Sequence, residues 1–228
     1  MQVSTERLKK GALKDNRMGT LSKVYEYHHE RTRKTEFSML EKERGAIFSR
    51  WIGTGKKVLD IGCRDGTLTR YFTSGNDVLG IDIDTKMLAA CKKKLGIRTR
   101  IMDLHGDWDI KEKFDAVVAA EVMEHLYYPE IIAQKVANVL KPGGIFIGSV
   151  PNAYNVKNRL RYLFGKQKNT PLEDRTHINQ FSYKILRDTL KKSFKEVKVM
   201  GLATGLSGEI ARTFPNLGSF MLIWRCVK

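Results

Sequence analysis

The chain has 228 residues, of which 42% are hydrophobic and 29% are charged, and its formal net charge at pH 7 is +16. This length allows one sizeable domain with a full hydrophobic core, and the composition fits a soluble globular protein. The apolar runs are too short to span a bilayer, and residues 1–14 are polar and basic, unlike a signal peptide. We therefore expect a cytoplasmic protein without a membrane span.

The positive charge favours an anionic partner, such as nucleic acid, an acidic membrane surface or a phosphorylated substrate. The lysines are spread along the chain and are not massed in one block. A lysine-rich composition shared by many proteins of the same organism would explain the charge equally well. Charge alone therefore does not name the partner.

Short apolar runs alternate with segments of helical spacing along the first two thirds of the chain. A first helix is predicted between Thr32 and Trp51. The predicted strands are Lys57–Ile61, 78–83, 97–102, Phe114–Ala120 and 145–150, and the predicted helices between them are 66–73, 87–95 and 129–140. This alternation predicts a doubly wound α/β fold with a mostly parallel sheet.

The strand–helix alternation changes after Pro151. Residues 152–181 are basic and carry aromatic side chains, and we interpret them as a helical insertion over the site. Within the insertion, residues 155–166 are amphipathic and predict a solvated helix that covers the pocket. A lid, a membrane-surface helix and a phosphate-binding arm are the alternatives. A helix over 183–194 and strands over 196–200 and 220–227 complete the prediction.

A glycine turn follows the first predicted strand and is typical of a nucleoside-binding site. Gly62 and Gly66 mark a reversal of the chain where side chains would be in the way. Arg64 stands where the dinucleotide fingerprint G-x-G-x-x-G has its middle glycine. Asp60, just before the turn, would repel a pyrophosphate but could pair with an amino group. Asp82 ends the second predicted strand, where a carboxylate binds ribose hydroxyls.

These features, taken with later ones, resemble the class I S-adenosylmethionine-dependent methyltransferases. The motifs are VLDIGCRDG at 58–66, GID at 80–82, Asp103, FD at 114–115 and LKPGG at 140–144. The resemblance covers roughly residues 35–200 and implies a seven-stranded sheet whose last strand is antiparallel. The chain departs from the family pattern at Arg64, where the family usually has glycine.

The resemblance implies that the strand ends bind S-adenosylmethionine. Asp60 and Gly62 would lie by the methionine moiety, and Asp82 would bind the ribose. Asp103, with Leu104 beside it, would approach the adenine amino group. The complete set expected to contact this cofactor is Asp60, Gly62, Cys63, Gly66, Asp82, Ile83, Asp103, Leu104 and Glu121.

A second group of chemically active side chains follows the fourth predicted strand. If this segment is helical, Glu121 and His125 lie at i, i+4 with Glu124 between them. Two carboxylates and an imidazole can form a divalent-metal site or an acid–base cluster. A further histidine, His177, lies near the end of the insertion.

The pattern Glu-x-x-Glu-His, followed by Pro151-Asn152 and Thr176-His177, resembles two branches of the methyltransferase superfamily. One branch is the ubiquinone-biosynthesis O-methyltransferases and their small-molecule relatives. The other is the small-RNA 2′-O-methyltransferases, in which two glutamates and two histidines hold magnesium or manganese. The second branch would make Glu121, Glu124, His125 and His177 the ligands of a metal ion here.

For an oxygen acceptor, three interpretations of this group stay open. His125 could be the general base, a magnesium or manganese ion could lower the pKa of the acceptor hydroxyl, or Glu124 and His125 could only brace the loop. We predict O-methylation of a small molecule, a lipid-linked intermediate or a glycan, with His125 as the catalytic residue. Metal-assisted methylation of RNA and a non-catalytic domain that binds the cofactor or an anion are the alternatives.

The sequence predicts a short first segment and one large domain. We expect residues 1–34 to cap the acceptor side of the site and residues 35–228 to form the methyltransferase domain. Acceptor specificity would then depend on the first segment and on the insertion, which match the family motifs least.

Overall fold

A computed structural model describes residues 36–204, 211 and 213–228, together with Lys23. The predicted cap at residues 1–34, apart from Lys23, and the predicted helix start at Thr32 lie outside the described residues. Within the described part of the chain, no helix is both long enough and apolar enough to cross a membrane.

Seven strands form one sheet in the order β3-β2-β1-β4-β5-β7-β6. The strands are β1 (Lys57–Ile61), β2 (Asp77–Asp82), β3 (Arg98–Ile101), β4 (Phe114–Ala120), β5 (Leu140–Pro151), β6 (Glu196–Leu202) and β7 (Met221–Val227). The first five strands pair in parallel, whereas β7 runs antiparallel to both β5 and β6. This topology confirms the predicted doubly wound, mostly parallel sheet and its antiparallel last strand.

Helices connect the strands and cover both faces of the sheet. They are α1 (Glu41–Ile52), α2 (Thr85–Leu95), α3 (Pro129–Val139), α4 (Val156–Leu163), α5 (Tyr183–Lys191) and α6 (Pro215–Gly218), with 3₁₀ turns at Thr69–Phe72, Met123–His125 and Pro171–Glu173. The Asp84 side chain caps α2, because its carboxylate accepts the N–H groups of Lys86 and Met87 at 3.0 Å each. Helix α4 makes the insertion after β5 helical, as predicted.

The central strand β1 is buried on both faces, as expected for a parallel sheet between two helical layers. Leu59 and Ile61 pack in one core cluster with residues of α3 and α5. Val58 packs in the other cluster with Phe48 and Ile52 of α1. Alternate side chains of β1 therefore pack into the two core clusters on opposite faces of the sheet. The last residue of β1 lies at the carboxyl edge of the sheet.

The predicted helix over 66–73 is wrong, since only the 3₁₀ turn at Thr69–Phe72 forms. Tertiary contacts hold this segment in its tighter form. The Thr69 hydroxyl donates to Asp60 at 2.7 Å, and the Tyr71 ring packs so closely on Gly45 of α1 that a Cβ there would overlap it. The segment is therefore pinned between β1 and α1 and does not extend into a regular helix.

The predicted boundary of the fifth strand is also wrong, because β5 begins at Leu140 and not at 145. The LKPGG segment still contains a turn-like residue, Gly143, whose φ is +74°. The register of β4 and β5 shifts between Phe114 and Ala116. The LKPGG segment is therefore an irregularity within β5 and does not interrupt the strand.

Candidate functional site

The carboxyl ends of β1, β2 and β4 border a cavity of about 1420 Å³. Sites in open α/β sheets lie at this edge, and pockets for a single small ligand usually measure about 300–1,000 Å³. The cavity therefore has room for a cofactor and an acceptor side by side. It is lined by eight of the nine residues expected to bind the cofactor: Asp60, Gly62, Cys63, Asp82, Ile83, Asp103, Leu104 and Glu121.

Gly66, the ninth residue, does not line the cavity. A Cβ at this position would lie 2.5 Å from Cδ1 of Leu95 and 2.9 Å from Sγ of Cys91, and the φ of Gly66 is +76°. The glycine is therefore required by the packing of the turn against α2. Packing within the fold therefore accounts for the glycine at this place in the motif.

Asp60 is a buried carboxyl group at the end of β1. Burial raises the pKa of Asp60 to about 7; the hydrogen bond from Thr69 opposes this rise, and the nearby charge of Asp82 adds to it. Near neutral pH this acid is therefore only partly ionised. A cationic ligand in the cavity would favour its charged form.

The turn after β1 explains the unusual Arg64. Its φ is +50°, in the left-handed region where glycine is the easiest residue to place. The backbone N–H of Arg64 donates to Oδ2 of Asp82 at 2.8 Å. Arg64 therefore adopts the conformation that the turn requires, at a cost of about 1 kcal/mol, and its backbone orients the neighbouring carboxylate.

Asp82 and Asp103 extend the row of carboxylates along the edge of the sheet. Oδ1 of Asp82 accepts the N–H of Asp84 at 2.9 Å, and Oδ1 of Asp103 accepts the N–H of His105 at 2.9 Å. The loop that follows Asp103 is held by Lys135 of α3, whose Nζ donates to the Leu104 carbonyl at 3.1 Å. Both carboxylates are thus fixed in position by backbone groups.

Cys63 lines the cavity, but its thiol belongs to the packing beneath the turn. A Cβ on Gly80 of β2 would lie only 2.8 Å from Sγ of Cys63. A hydrogen bond with Cys91 and burial both raise the pKa of the Cys63 thiol. The thiol therefore stays protonated near neutral pH and is a poor nucleophile.

Glu124, His125 and His177 form a compact cluster, which we call the Glu-His-His group. One potential ligand atom from each residue lies within 4.8 Å of the others. His125 and His177 line the cavity, whereas Glu124 is buried beside them. The segment is not a regular helix, because Glu121 has a φ of +59° and only the 3₁₀ turn Met123–His125 follows it.

Backbone carbonyls fix the tautomers of both histidines. Nδ1 of His125 lies 3.0 Å from the Thr176 carbonyl oxygen, and Nδ1 of His177 lies 3.0 Å from the Pro171 carbonyl oxygen. A carbonyl can only accept, so each Nδ1 carries the proton. In a neutral ring the lone pair then lies on Nε2, the atom that can take a proton or bind a metal ion. Nε2 of His177 also lies 3.6 Å from Oδ2 of Asp174.

Glu121 is not part of the Glu-His-His group. Its Oε1 forms an ion pair with Nη1 of Arg44 at 3.3 Å. Arg44 is fully buried and also donates to the Ser149 hydroxyl at 2.8 Å and to the Ser38 hydroxyl. The structure thus separates Glu121 from the other three predicted metal ligands.

Sequence reasoning missed Arg44, although a signal was present. Arg44, Phe48 and Ile52 are spaced i, i+4, i+8 on the buried face of α1. A charged residue in such an apolar row needs a buried partner. The pattern could have indicated an ion pair, but it could not have named Glu121.

The chain is similar to several known proteins. A family model described as a methyltransferase domain matches residues 27–193. A ubiquinone biosynthesis O-methyltransferase of Nitrobacter winogradskyi is 36% identical over 104 residues, which are 43% of this chain and 40% of the relative. The chain therefore aligns with about two fifths of the length of that relative.

Two solved structures share the fold. A SAM-dependent methyltransferase from Archaeoglobus fulgidus has a TM-score of 0.61 and 18% identity, covering 90% of this chain and 99% of that one. A small RNA methyltransferase has a TM-score of 0.64 and 18% identity, covering 86% of this chain and 26% of that one. At this level of identity the likeness establishes the fold alone.

The raised pKa of Asp60 predicts a pH dependence of stability. The ordinary value is 3.8 and the folded value is about 7, so the folded state binds the proton more tightly. The stabilisation that Asp60 contributes is fully present below its ordinary pKa. It is lost as the pH rises through the pKa of Asp60 in the folded state. In the absence of ligand, the wild type should lose stability relative to Asp60→Asn between pH 5 and 7.

Denaturant unfolding at a series of pH values measures this difference in free energy. A fully effective shift changes it by about 1.4 kcal/mol for each pH unit crossed. The asparagine keeps an oxygen that can accept the Thr69 hydroxyl, so this bond serves as an internal control. A difference that stays constant over this pH range would contradict the buried, proton-binding Asp60.

The ion pair of Arg44 and Glu121 predicts energetic coupling. Arg44→Met should lower the free energy of unfolding by about 3 kcal/mol, because the Glu121 carboxylate loses its fully buried cationic partner. Adding Glu121→Gln should recover about 1 kcal/mol. A double-mutant cycle in denaturant measures the coupling, with Arg50→Met on the exposed face of α1 as the control. Strictly additive losses would show that the pair is not coupled.

Proposed function

This chain belongs to the class I S-adenosylmethionine-dependent methyltransferase family, and we propose that it transfers a methyl group to a hydroxyl oxygen of a small molecule. The observation that carries this proposal is that one cavity contains both the row of strand-end carboxylates and the two histidines of the Glu-His-His group. The first set suits a cationic nucleoside, and the second set suits a hydroxyl that must lose its proton. The likeness to ubiquinone biosynthesis O-methyltransferases supports an oxygen acceptor.

The chemistry of the donor set fits S-adenosylmethionine. Asp60 supplies a buried carboxyl group whose charged form would be stabilised by the ammonium or sulfonium of the methionine moiety. Asp82, already oriented by two backbone N–H groups, lies at the end of the second strand, where a carboxylate binds the ribose hydroxyls in folds of this kind. Asp103 and Leu104 would contact the adenine. When bound, this cofactor supplies a methyl group on a sulfonium that is already activated for transfer.

We assign His125 the role of general base. Its Nδ1 proton is held by the Thr176 carbonyl, so the Nε2 lone pair takes the proton of the acceptor hydroxyl as the oxygen–methyl bond forms and the sulfur–methyl bond breaks. The resulting imidazolium lies next to the Glu124 carboxylate, which stabilises its charge. His177, which belongs to the insertion, keeps the other two residues of the group in position.

A divalent ion is the second candidate for the same group. Two imidazole nitrogens and a carboxylate suit magnesium less than manganese or a similar transition metal, and carbonyl partners on the distal nitrogens are typical of metal-bound histidines. A metal ion there would lower the pKa of the acceptor hydroxyl. In this arrangement Glu121 stays with Arg44, so three protein ligands would hold the ion.

Transfer of a labelled methyl group into fractionated cell extract tests the proposed function. We expect label in the small-molecule or lipid fraction, and His125→Asn should reduce the rate at least about 100-fold while cofactor affinity in calorimetry stays unchanged. Label confined to RNA, or full activity of His125→Asn, would contradict the proposal.

The same assay separates the base from the metal. If His125 acts alone, a chelator leaves the rate unchanged and His177→Gln lowers it much less than His125→Asn. If a metal ion is required, the chelator abolishes transfer, manganese or magnesium restores it, and the two histidine variants fail alike.

A further inference from the structure

A lysine of α3 reaches the loop that follows β3. Lys135 is half-buried and lines the cavity. Its Nζ donates to three consecutive backbone carbonyls, those of Leu104 at 3.1 Å, His105 at 3.4 Å and Gly106 at 2.6 Å. An ammonium has three N–H donors, so the loop engages all of them.

Three consecutive carbonyl groups that face one point need a cation between them. Their dipoles would otherwise repel one another, and a polar group that loses its partner away from water costs free energy. Trp108 contacts the same place, because its Nε1 donates to the Leu104 carbonyl at 3.0 Å and its ring centroid lies 6.0 Å from Nζ of Lys135. Residues 104–108 are thus built around one ammonium, and we call them the lysine-held loop.

The lysine-held loop determines the orientation of Asp103. Oδ1 of Asp103 accepts the N–H of His105 at 2.9 Å, and the Asp103 carbonyl accepts the N–H of Gly106 at 3.1 Å. The two donors belong to residues whose carbonyls accept from Lys135. The ammonium therefore acts on the position of the Asp103 carboxylate through the backbone of the loop.

We propose that Lys135 is a positioning residue for the adenine end of the cofactor. This inference rests on the proposed function, which gives Asp103 and Leu104 the contact with adenine. It adds the group that keeps both residues in their binding conformation. Without the ammonium, the loop would adopt that conformation for only part of the time, and the apparent affinity would fall by that fraction.

A lysine that only stabilised the fold would give a different result. Its removal would lower the free energy of unfolding and leave the affinity of the folded protein unchanged. A positioning residue changes the affinity of the folded protein for every ligand that contains the adenine. The two roles are therefore distinguished by a binding measurement.

Calorimetric titration of two ligands into the full chain tests this role. S-adenosylmethionine contains an adenosine part and a methionine part, whereas adenosine lacks the methionine part. We expect Lys135→Met to weaken the binding of both ligands about tenfold, as for a loop that is competent for about a tenth of the time. Lys135→Arg keeps a cation with several donors and should recover most of the lost affinity.

The matched control is Lys113→Met. Lys113 also donates to a backbone carbonyl, that of Asn138 at 2.7 Å, but it lies outside the lining of the cavity. This variant should bind both ligands like the wild type. Thermal melting of each variant identifies those that are folded.

Fluorescence of Trp108 gives a second readout. Acrylamide quenching of this residue is obtained as the difference between each protein and its Trp108→Phe counterpart. Without ligand, Lys135→Met should show more quenching of Trp108 than the wild type, because the loop opens to solvent more often. Saturating S-adenosylmethionine should reverse the increase, since the ligand selects the ordered loop.

Four results would overturn the proposal. They are an unchanged affinity for adenosine in folded Lys135→Met, an equal loss in Lys113→Met, no recovery in Lys135→Arg, and a wild type that binds neither ligand. If Lys135→Met does not fold, Lys135→Gln replaces it, and unchanged affinity of that variant would count equally against the proposal. Failure of the proposed function is seen separately, as absent methyl transfer by a wild type that binds S-adenosylmethionine, and it leaves the binding results unchanged.

Discussion

The burial of the Asp60 carboxyl group at the end of β1 constrains the rest of the site. A carboxyl group in this position needs a donor, which the Thr69 hydroxyl provides at 2.7 Å. That bond pins the segment after the glycine turn and replaces a regular helix with a 3₁₀ turn. The glycine turn also brings the backbone N–H of Arg64 to the Asp82 carboxylate. A single buried acid thus connects the sheet, the turn and the second carboxylate of the site.

The acceptor side of the cavity depends on the docking of the insertion. The Thr176 and Pro171 carbonyls, which fix the two histidine rings, both belong to the insertion. The N–H of Asn179 donates to the Glu124 carbonyl oxygen at 2.9 Å, which attaches the insertion to the loop after β4. The Glu-His-His group is therefore assembled from two distant parts of the chain, and its chemistry requires both.

The fold was largely predictable from the sequence because local signals agreed with one another. β1 and β4 have the bounds that their apolar runs predict, and α2 ends at Leu95 as its helical spacing predicts. The errors arise where tertiary contacts decide the conformation. The segment after the glycine turn is an example, because contacts of Thr69 with β1 and of Tyr71 with α1 prevent a regular helix, and no local pattern reveals them.

The residue types of the site were easier to predict from the sequence than the pairs of residues that contact each other. The motif order placed carboxylates at the strand ends, but spacing alone grouped Glu121 with Glu124 and His125. The left-handed backbone of Glu121 turns that residue to Arg44 instead, a partner 77 positions earlier in the sequence. Long-range pairs of this kind depend on the packing of α1 against the sheet and have no short-range signature.

The central claim is that the strand-end carboxylates hold S-adenosylmethionine, and calorimetric titration of this cofactor into Asp82→Ala tests it most directly. We predict a loss of affinity of about 10- to 100-fold, as expected when hydrogen bonds to a charged group are removed. Asp115→Ala, at the opposite end of β4 and paired with Lys141, should bind like the wild type. Undiminished affinity of a folded Asp82→Ala variant would contradict the claim.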